Sequence, residues 1–259
     1  MDAGAEKLAF LKDSLARAGL ERAQSHVRAG LGAGNVDARL KGGIARGTLH
    51  EIFPATAGDE AAATGFTAAV ASRVAGKKRI LWIVADFAAL EHAEISALGL
   101  LELGFDPARF LLLRAPDAVS VLRAATDALS ARALGAIIIE IPGAVKSLAL
   151  SASRRLVLAA NESGVTIFLL RCSAEPAPSA AETRWLIGAA CSGRNDENWG
   201  RPLFDAGLVR NRHGPTGHWL MEWNSDDGLF HATDAGAVVS APCDRPSQAL
   251  HGTNFARVA

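Results

Sequence analysis

The chain has 259 residues with 27 basic and 27 acidic side chains, so its formal charge is zero. A protein that holds nucleic acid through its overall field carries a basic excess; here any DNA role is expected to be indirect or confined to a local patch. Hydrophobic residues make up 49% and charged residues 21%, which excludes a disordered chain and suffices for one full α/β core.

The three cysteines, Cys172, Cys191 and Cys243, are far apart, without metal-ligand or redox spacing. They read as small hydrophobes, and an odd count suits a reducing compartment. The opening Met1-Asp2-Ala3-Gly4-Ala5-Glu6 lacks the basic-then-apolar order of a secretion signal. No apolar run approaches roughly 18 residues. The expected location is cytoplasmic.

In chain order, Leu8, Leu11, Leu15 and Leu20 fall near helical spacing with Lys7, Lys12 and Arg17 between them, predicting an amphipathic helix within residues 1–27. Residues 28–47 are rich in glycine from Gly30 to Gly47 and predict a linker or exposed loop. Alternation begins at residue 48. Strands are predicted at Leu49–Phe53, Arg79–Val84, Phe110–Leu113, Ala136–Ile141 and Val165–Leu170. Helices are predicted up to Ala75 and over residues 88–103, 117–134 and 147–162. Apolar strands alternating with helices imply a mostly parallel sheet covered on both faces. Thr183–Ile187 alternates as a half-buried strand does. Residues 207–212 and 218–223 flank His213-Gly214-Pro215-Thr216-Gly217, a predicted antiparallel hairpin. The core is therefore expected over 48–240, with a loosely ordered polar tail over 241–259.

The first strand of such a fold leads into the position where nucleotide-binding proteins carry a glycine-rich phosphate loop. Here that position reads Pro54-Ala55-Thr56-Ala57-Gly58-Asp59-Glu60. Gly58 is present, but Asp59 stands in place of the lysine and Glu60 in place of the hydroxyl that reaches magnesium. One unit-charge pair at about 4 Å and an effective dielectric of about 20 is worth about 4 kcal/mol. The start of a helix offers an anion only about 0.3–1 kcal/mol in ordinary settings. A triphosphate is therefore not expected to bind, and no cofactor is expected. The residues alone also fit plain helix-capping acids in a protein that never held a nucleotide.

Gly42-Gly43-Ile44-Ala45-Arg46-Gly47-Thr48-Leu49-His50-Glu51-Ile52-Phe53 resembles the segment entering the nucleotide loop of the recombinase RecA. Residues 80–113, with the Gly104-Phe105-Asp106 break, resemble the next unit of that fold. By this resemblance Asp86 corresponds to a catalytic glutamate and Glu140 to a magnesium-linked aspartate. Three further stretches are more specific: Leu148 to Leu156 (Leu-Ala-Leu-Ser-Ala-Ser-Arg-Arg-Leu), Ala181-Glu182-Thr183-Arg184-Trp185, and Gly200 to Phe204 continuing to Arg210–Gly217. In this order and spacing they resemble the ImuA family, RecA-like proteins of inducible mutagenesis, over most of residues 40–242. The resemblance implies a RecA-like P-loop-type core and a non-enzymatic role in SOS-associated, error-prone translesion synthesis. The implied partners are an ImuB-like protein, the error-prone replicative polymerase and RecA.

Arg210 and Arg212 stand two residues apart before the hairpin turn, which puts them on one face. By resemblance to hexameric RecA-like helicases they are candidates for a subunit or partner contact; a solvated hairpin would carry the same charges. Arg154 and Arg155 are further candidates for an acidic partner or DNA, unless they are ordinary helix-surface residues. Trp219 and Trp223 fit a base-stacking platform or a packed core strand. The seven histidines show no zinc-hydrolase spacing, and no metal is expected. Two other readings stay open: an active RecA-type ATPase drawing a lysine from Lys41, since Lys77 and Lys78 fall at the far end of the predicted helix and cannot reach, and an inhibitor of RecA or of cell division.

Overall fold

The computed structural model describes residues 27–86, 95–191 and 200–234. The predicted N-terminal helix and the tail over 241–259 lie outside the described residues.

β3 (Leu49–Pro54), β4 (Arg79–Ala85), β6 (Leu134–Glu140) and β7 (Thr166–Leu170) are the apolar runs of the sequence. Successive side chains of a strand point to opposite faces. All five residues of β7 are buried, so both faces of the sheet are covered there. Ile137, Ile138 and Ile139 at the middle of β6 are fully buried, each worth about 1.5–3 kcal/mol in removal from water. With β5 (Phe110–Ala115), β8 (Thr183–Ala190), β9 (Leu203–Asn211), β10 (Gly217–Asn224) and β11 (Leu229–Asp234) they form one nine-stranded sheet in the order β11-β10-β9-β8-β3-β7-β6-β4-β5. Pairing is parallel from β5 to β8 and antiparallel from β8 to β11. The predicted hairpin is thus the middle of a four-strand antiparallel extension. β11 went unpredicted because its strand is short and half polar.

α2 (Glu60–Ala75) follows β3 and packs against β3, β4, β6, β7 and β8. Its many alanines let it lie close to the sheet. At Gly135 an added Cβ would come within 2.6 Å of the Ala75 Cα, so the last turn of α2 abuts the start of β6. Phe66 of α2 meets Trp185, Phe204 and Phe230 at 5.4–5.6 Å between ring centroids, tying helix to antiparallel extension. α4 (Ala118–Ala128) begins at Asp117, whose carboxylate accepts from Ser120 N at 2.7 Å. α5 (Leu150–Ser163) packs on β3 and β7, and Gly164 ends it in the left-handed conformation. The helix predicted over 88–103 is described only from residue 95, and there it is shorter than predicted: residues 95–96 are not helical, and α3 (Ala97–Glu102) starts after Ser96, whose hydroxyl accepts from Gly99 N; residues 87–94 lie outside the description.

Residues 28–47 are not an exposed linker. β1 (Arg28–Ala29) pairs with β2 (Ile44–Ala45), and α1 (Gly34–Arg39) lies between them. Leu31, Val36, Leu40 and Ile44 are buried. The Asp37 carboxylate accepts from Leu31 N and Gly32 N, and Arg28 donates to Leu40 O and Gly43 O. Gly43 has φ +117°, and a Cβ there would overlap Ala29 O. The glycines permit a tight fold-back, and the four apolar side chains drive it.

Candidate functional site

The loop leaving β3 turns through Ala57–Asp59 as a single 3-10 turn before α2 begins. Its anion is its own. One Asp59 carboxylate oxygen accepts from Thr56 N at 3.0 Å and from the Thr56 hydroxyl at 2.6 Å. The other accepts from Ala189 N on β8 at 2.9 Å. Partial burial pushes this carboxyl upward, but the hydrogen bonds from Ala189 and Thr56 outweigh it and hold the group below its ordinary range. Gly58 is not needed for close approach: a Cβ there would meet nothing nearer than the Thr56 hydroxyl at 3.8 Å.

Glu60 opens α2, and its carboxylate accepts from the Ser173 hydroxyl at 3.2 Å. It lines a cavity of about 290 Å³ whose wall also includes Glu140, Trp82, Cys172, Leu100 and Leu103. Glu140, at the end of β6, is 7% exposed and accepts from Trp82 Nε1 at 2.9 Å. The two acids singled out in the sequence therefore face one pocket, otherwise mostly apolar. Burial, reinforced by Glu140 and then Glu60, pushes the Cys172 thiol up to about 12. A pocket with two carboxylates disfavours a phosphate for the same electrostatic reason that governs Asp59. Asp86 lies exposed just after β4 and is not among the described residues lining this cavity. Lys77 and Lys78 follow the far end of α2, whose 16 residues span about 24 Å. They lie out of reach of the Asp59 end.

The partner-contact candidates also converge. Arg154 from α5 and Arg210 and Arg212 from the β9 end line a second cavity, of about 590 Å³; Arg155 does not. The tryptophan question is settled by burial. Trp219 and Trp223 are 3% and 2% exposed and pack against Trp185 and Phe230, so they are core residues and not a stacking platform. Trp199 lies outside the described residues. Cys172 is free and buried.

Sequence reasoning missed two buried polar groupings on β3. His50 is fully buried, with Nε2 2.8 Å from Ala45 O and Nδ1 2.7 Å from the Thr183 hydroxyl. A carbonyl can only accept, so Nε2 carries the proton and Nδ1 accepts from Thr183. The Thr183 oxygen in turn accepts from Trp185 Nε1 at 3.1 Å. Beside it, Glu51 pairs with Arg184 at 2.7 Å, and Arg171 donates to Ile141 O and Gly143 O. The signal was present: two polar residues interrupt the apolar strand Leu49–Phe53.

The fold and loop define the class: an α/β protein with a large, mostly parallel mixed sheet, whose loop after its central strand is occupied by a side chain of its own. No family model matches the chain. It is 31% identical over 197 residues to Protein ImuA of Caulobacter vibrioides strain NA1000 / CB15N, covering 70% of this chain and 77% of that protein. Protein ImuA of strain ATCC 19089 / CIP 103742 / CB 15 of the same species matches to the same extent. The chain belongs to the ImuA family. No helix among the described residues is long and apolar enough to cross a membrane.

Proposed function

We propose that this protein is a RecA-like accessory factor of DNA-damage-induced, error-prone translesion synthesis that acts through protein contacts and not through ATP hydrolysis. Its partner in this reading is an ImuB-like protein, with RecA and the error-prone replicative polymerase as further contacts. Family membership supports the pathway. The RecA-like reading rests on β3 leading directly into the loop and α2, with parallel neighbours β7 and β8 on either side. The observation that supports the non-enzymatic reading is Asp59, whose carboxylate takes the hydrogen bonds of Thr56 and Ala189 in the loop to which this reading would assign a phosphate.

Titration with a fluorescent ATP analogue tests it, and no saturable binding is expected. Micromolar binding accompanied by turnover that depends on Lys41 would overturn the reading in favour of an ATPase. Co-purification from damaged cells tests the partner: recovery of an ImuB-like protein is expected. Recovery of the cell-division ring protein alone would point to an inhibitor instead.

A further inference from the structure

The second cavity differs from the rest of this electrically neutral chain. Arg154, Arg210 and Arg212 converge on it from two elements far apart in sequence, and no carboxylate is among the described residues that line it. Beside the arginines run Leu150, Val157 and Leu158 of α5. With Arg154 they stand at positions i, i+4, i+7 and i+8, one face of the helix. Leu158 is 61% exposed and Leu150 36%, an apolar stripe left in water beside three cations.

The groove is also built, not incidental. Pro178, Ser179 and Ala180 line it, in a segment held at successive points. Ala180 N donates to the buried Ser153 hydroxyl of α5 at 3.0 Å. Arg210 donates to Ser179 O at 2.9 Å. Arg184, fixed by Glu51, donates to the Ser179 hydroxyl and to Ala177 O. The bond to Ser179 holds Arg210 against this segment, which lowers the ordering cost of binding at that cation.

We infer that this groove is the docking site for an acidic amphipathic segment of a protein partner, its leucine-type side chains on the Leu150–Leu158 stripe and its carboxylates on Arg154, Arg210 and Arg212. Guanidinium groups suit carboxylates because their forked donors match the two oxygens. An apolar stripe beside them suits a helix or strand with one greasy face. A nucleic acid fits less well: among the described residues the lining holds no aromatic ring on which a base could stack. The inference deepens the adaptor reading and rests on it, since it names the surface through which contact is made.

The test uses the full chain and fluorescence anisotropy with three probes. They are a labelled 16-residue peptide of leucines and glutamates at helical spacing, the same peptide with lysines for glutamates, and a 16-nucleotide single-stranded DNA. The acidic peptide is expected to bind saturably and to weaken with added salt. Binding should fall at least tenfold in the double variant Arg154→Glu, Arg212→Glu, and severalfold in Leu158→Asp. All three positions are solvent-exposed, and circular dichroism checks that the variants remain folded. Absence of saturable binding, acidic-peptide binding that the double variant leaves intact, or tighter binding of the DNA through the same arginines would each overturn the assignment. Recovery of an ImuB-like protein by the wild-type chain is a separate readout: its absence overturns the adaptor reading, whatever the peptides do.

Discussion

The backbone N–H of Ala189, near the end of β8, donates to the carboxylate of Asp59 at 2.9 Å. One side chain thus closes the start of α2 and fastens it to a strand 130 positions later in the chain. Replacing Asp59 by Ala should cost about 1 kcal/mol, the usual net worth of a lost intramolecular hydrogen bond, measured by urea denaturation. Its native carboxyl lies below the ordinary 3.8. The stability it adds is therefore present above about pH 4 and lost as pH falls through the lower native value. In Asp59→Asn the melting temperature should fall less steeply over that acid range. An unchanged acid profile would show that the hydrogen bonds add no charge-dependent stability.

Gly58→Ala should be neutral or stabilising by about 0.4–1 kcal/mol. The position has open space and does not adopt a positive φ. A loop that cradled phosphate on its backbone would lose function on the same change. Thermal melting together with the mutagenesis phenotype in cells distinguishes the two, and both should be retained.

Cys172 should resist alkylation in the native protein. With its thiol pushed up to about 12, the thiolate fraction at pH 8 is on the order of one part in ten thousand. Iodoacetamide labelling at pH 8, read by mass spectrometry, should be slow until denaturant is added. Glu140→Gln should speed it, because one of the charges opposing ionisation is gone. Since the native value lies above the ordinary 9.0, the neutral thiol's contribution to stability is complete below about pH 9 and lost as pH rises towards 12.

Glu51→Ala should destabilise the fold by about 3–5 kcal/mol, since it leaves Arg184 without its partner at a site where the two side chains are only 5% and 12% exposed. The same variant should loosen the 177–180 segment that Arg184 holds. Hydrogen exchange should then rise there before it rises in β6.

The alternation of apolar strands and helices was legible because burial on both faces demands continuous hydrophobic runs, as in Ile137–Ile139. The start of α4 was legible, but the predicted helix over 117–134 overran its end at Ala128 and reached into the first residue of β6, because the intervening Leu-Ser-Ala-Arg-Ala carries no glycine or proline to mark a stop. Residues 28–47 were misread because glycine signals a bend and says nothing of what the bend packs against; the deciding side chains, Leu31, Val36, Leu40 and Ile44, are spaced too irregularly to show a period. At the site, Asp59 and Glu60 were legible as charges in the wrong place for a phosphate, and Glu140 only as the counterpart of a magnesium-linked aspartate. That Asp59 would reach Ala189, or that Trp82 would hold Glu140, was not, because both bonds depend on strand order across the sheet. The joining of Arg154 with Arg210 and Arg212 was hidden for the same reason.

The position of β3 has a practical consequence for how the protein can be dissected. Its two neighbours, β7 and β8, come from the far part of the chain, and His50 finds Thr183 133 positions away. A ribosome must release most of the chain before the central strand has a partner, a late-closing topology that folds slowly and exposes apolar edges while it waits. Deletion series that stop before β8 would yield insoluble fragments and false-negative interaction maps. Contacts of this protein are best mapped by point substitutions on the intact chain.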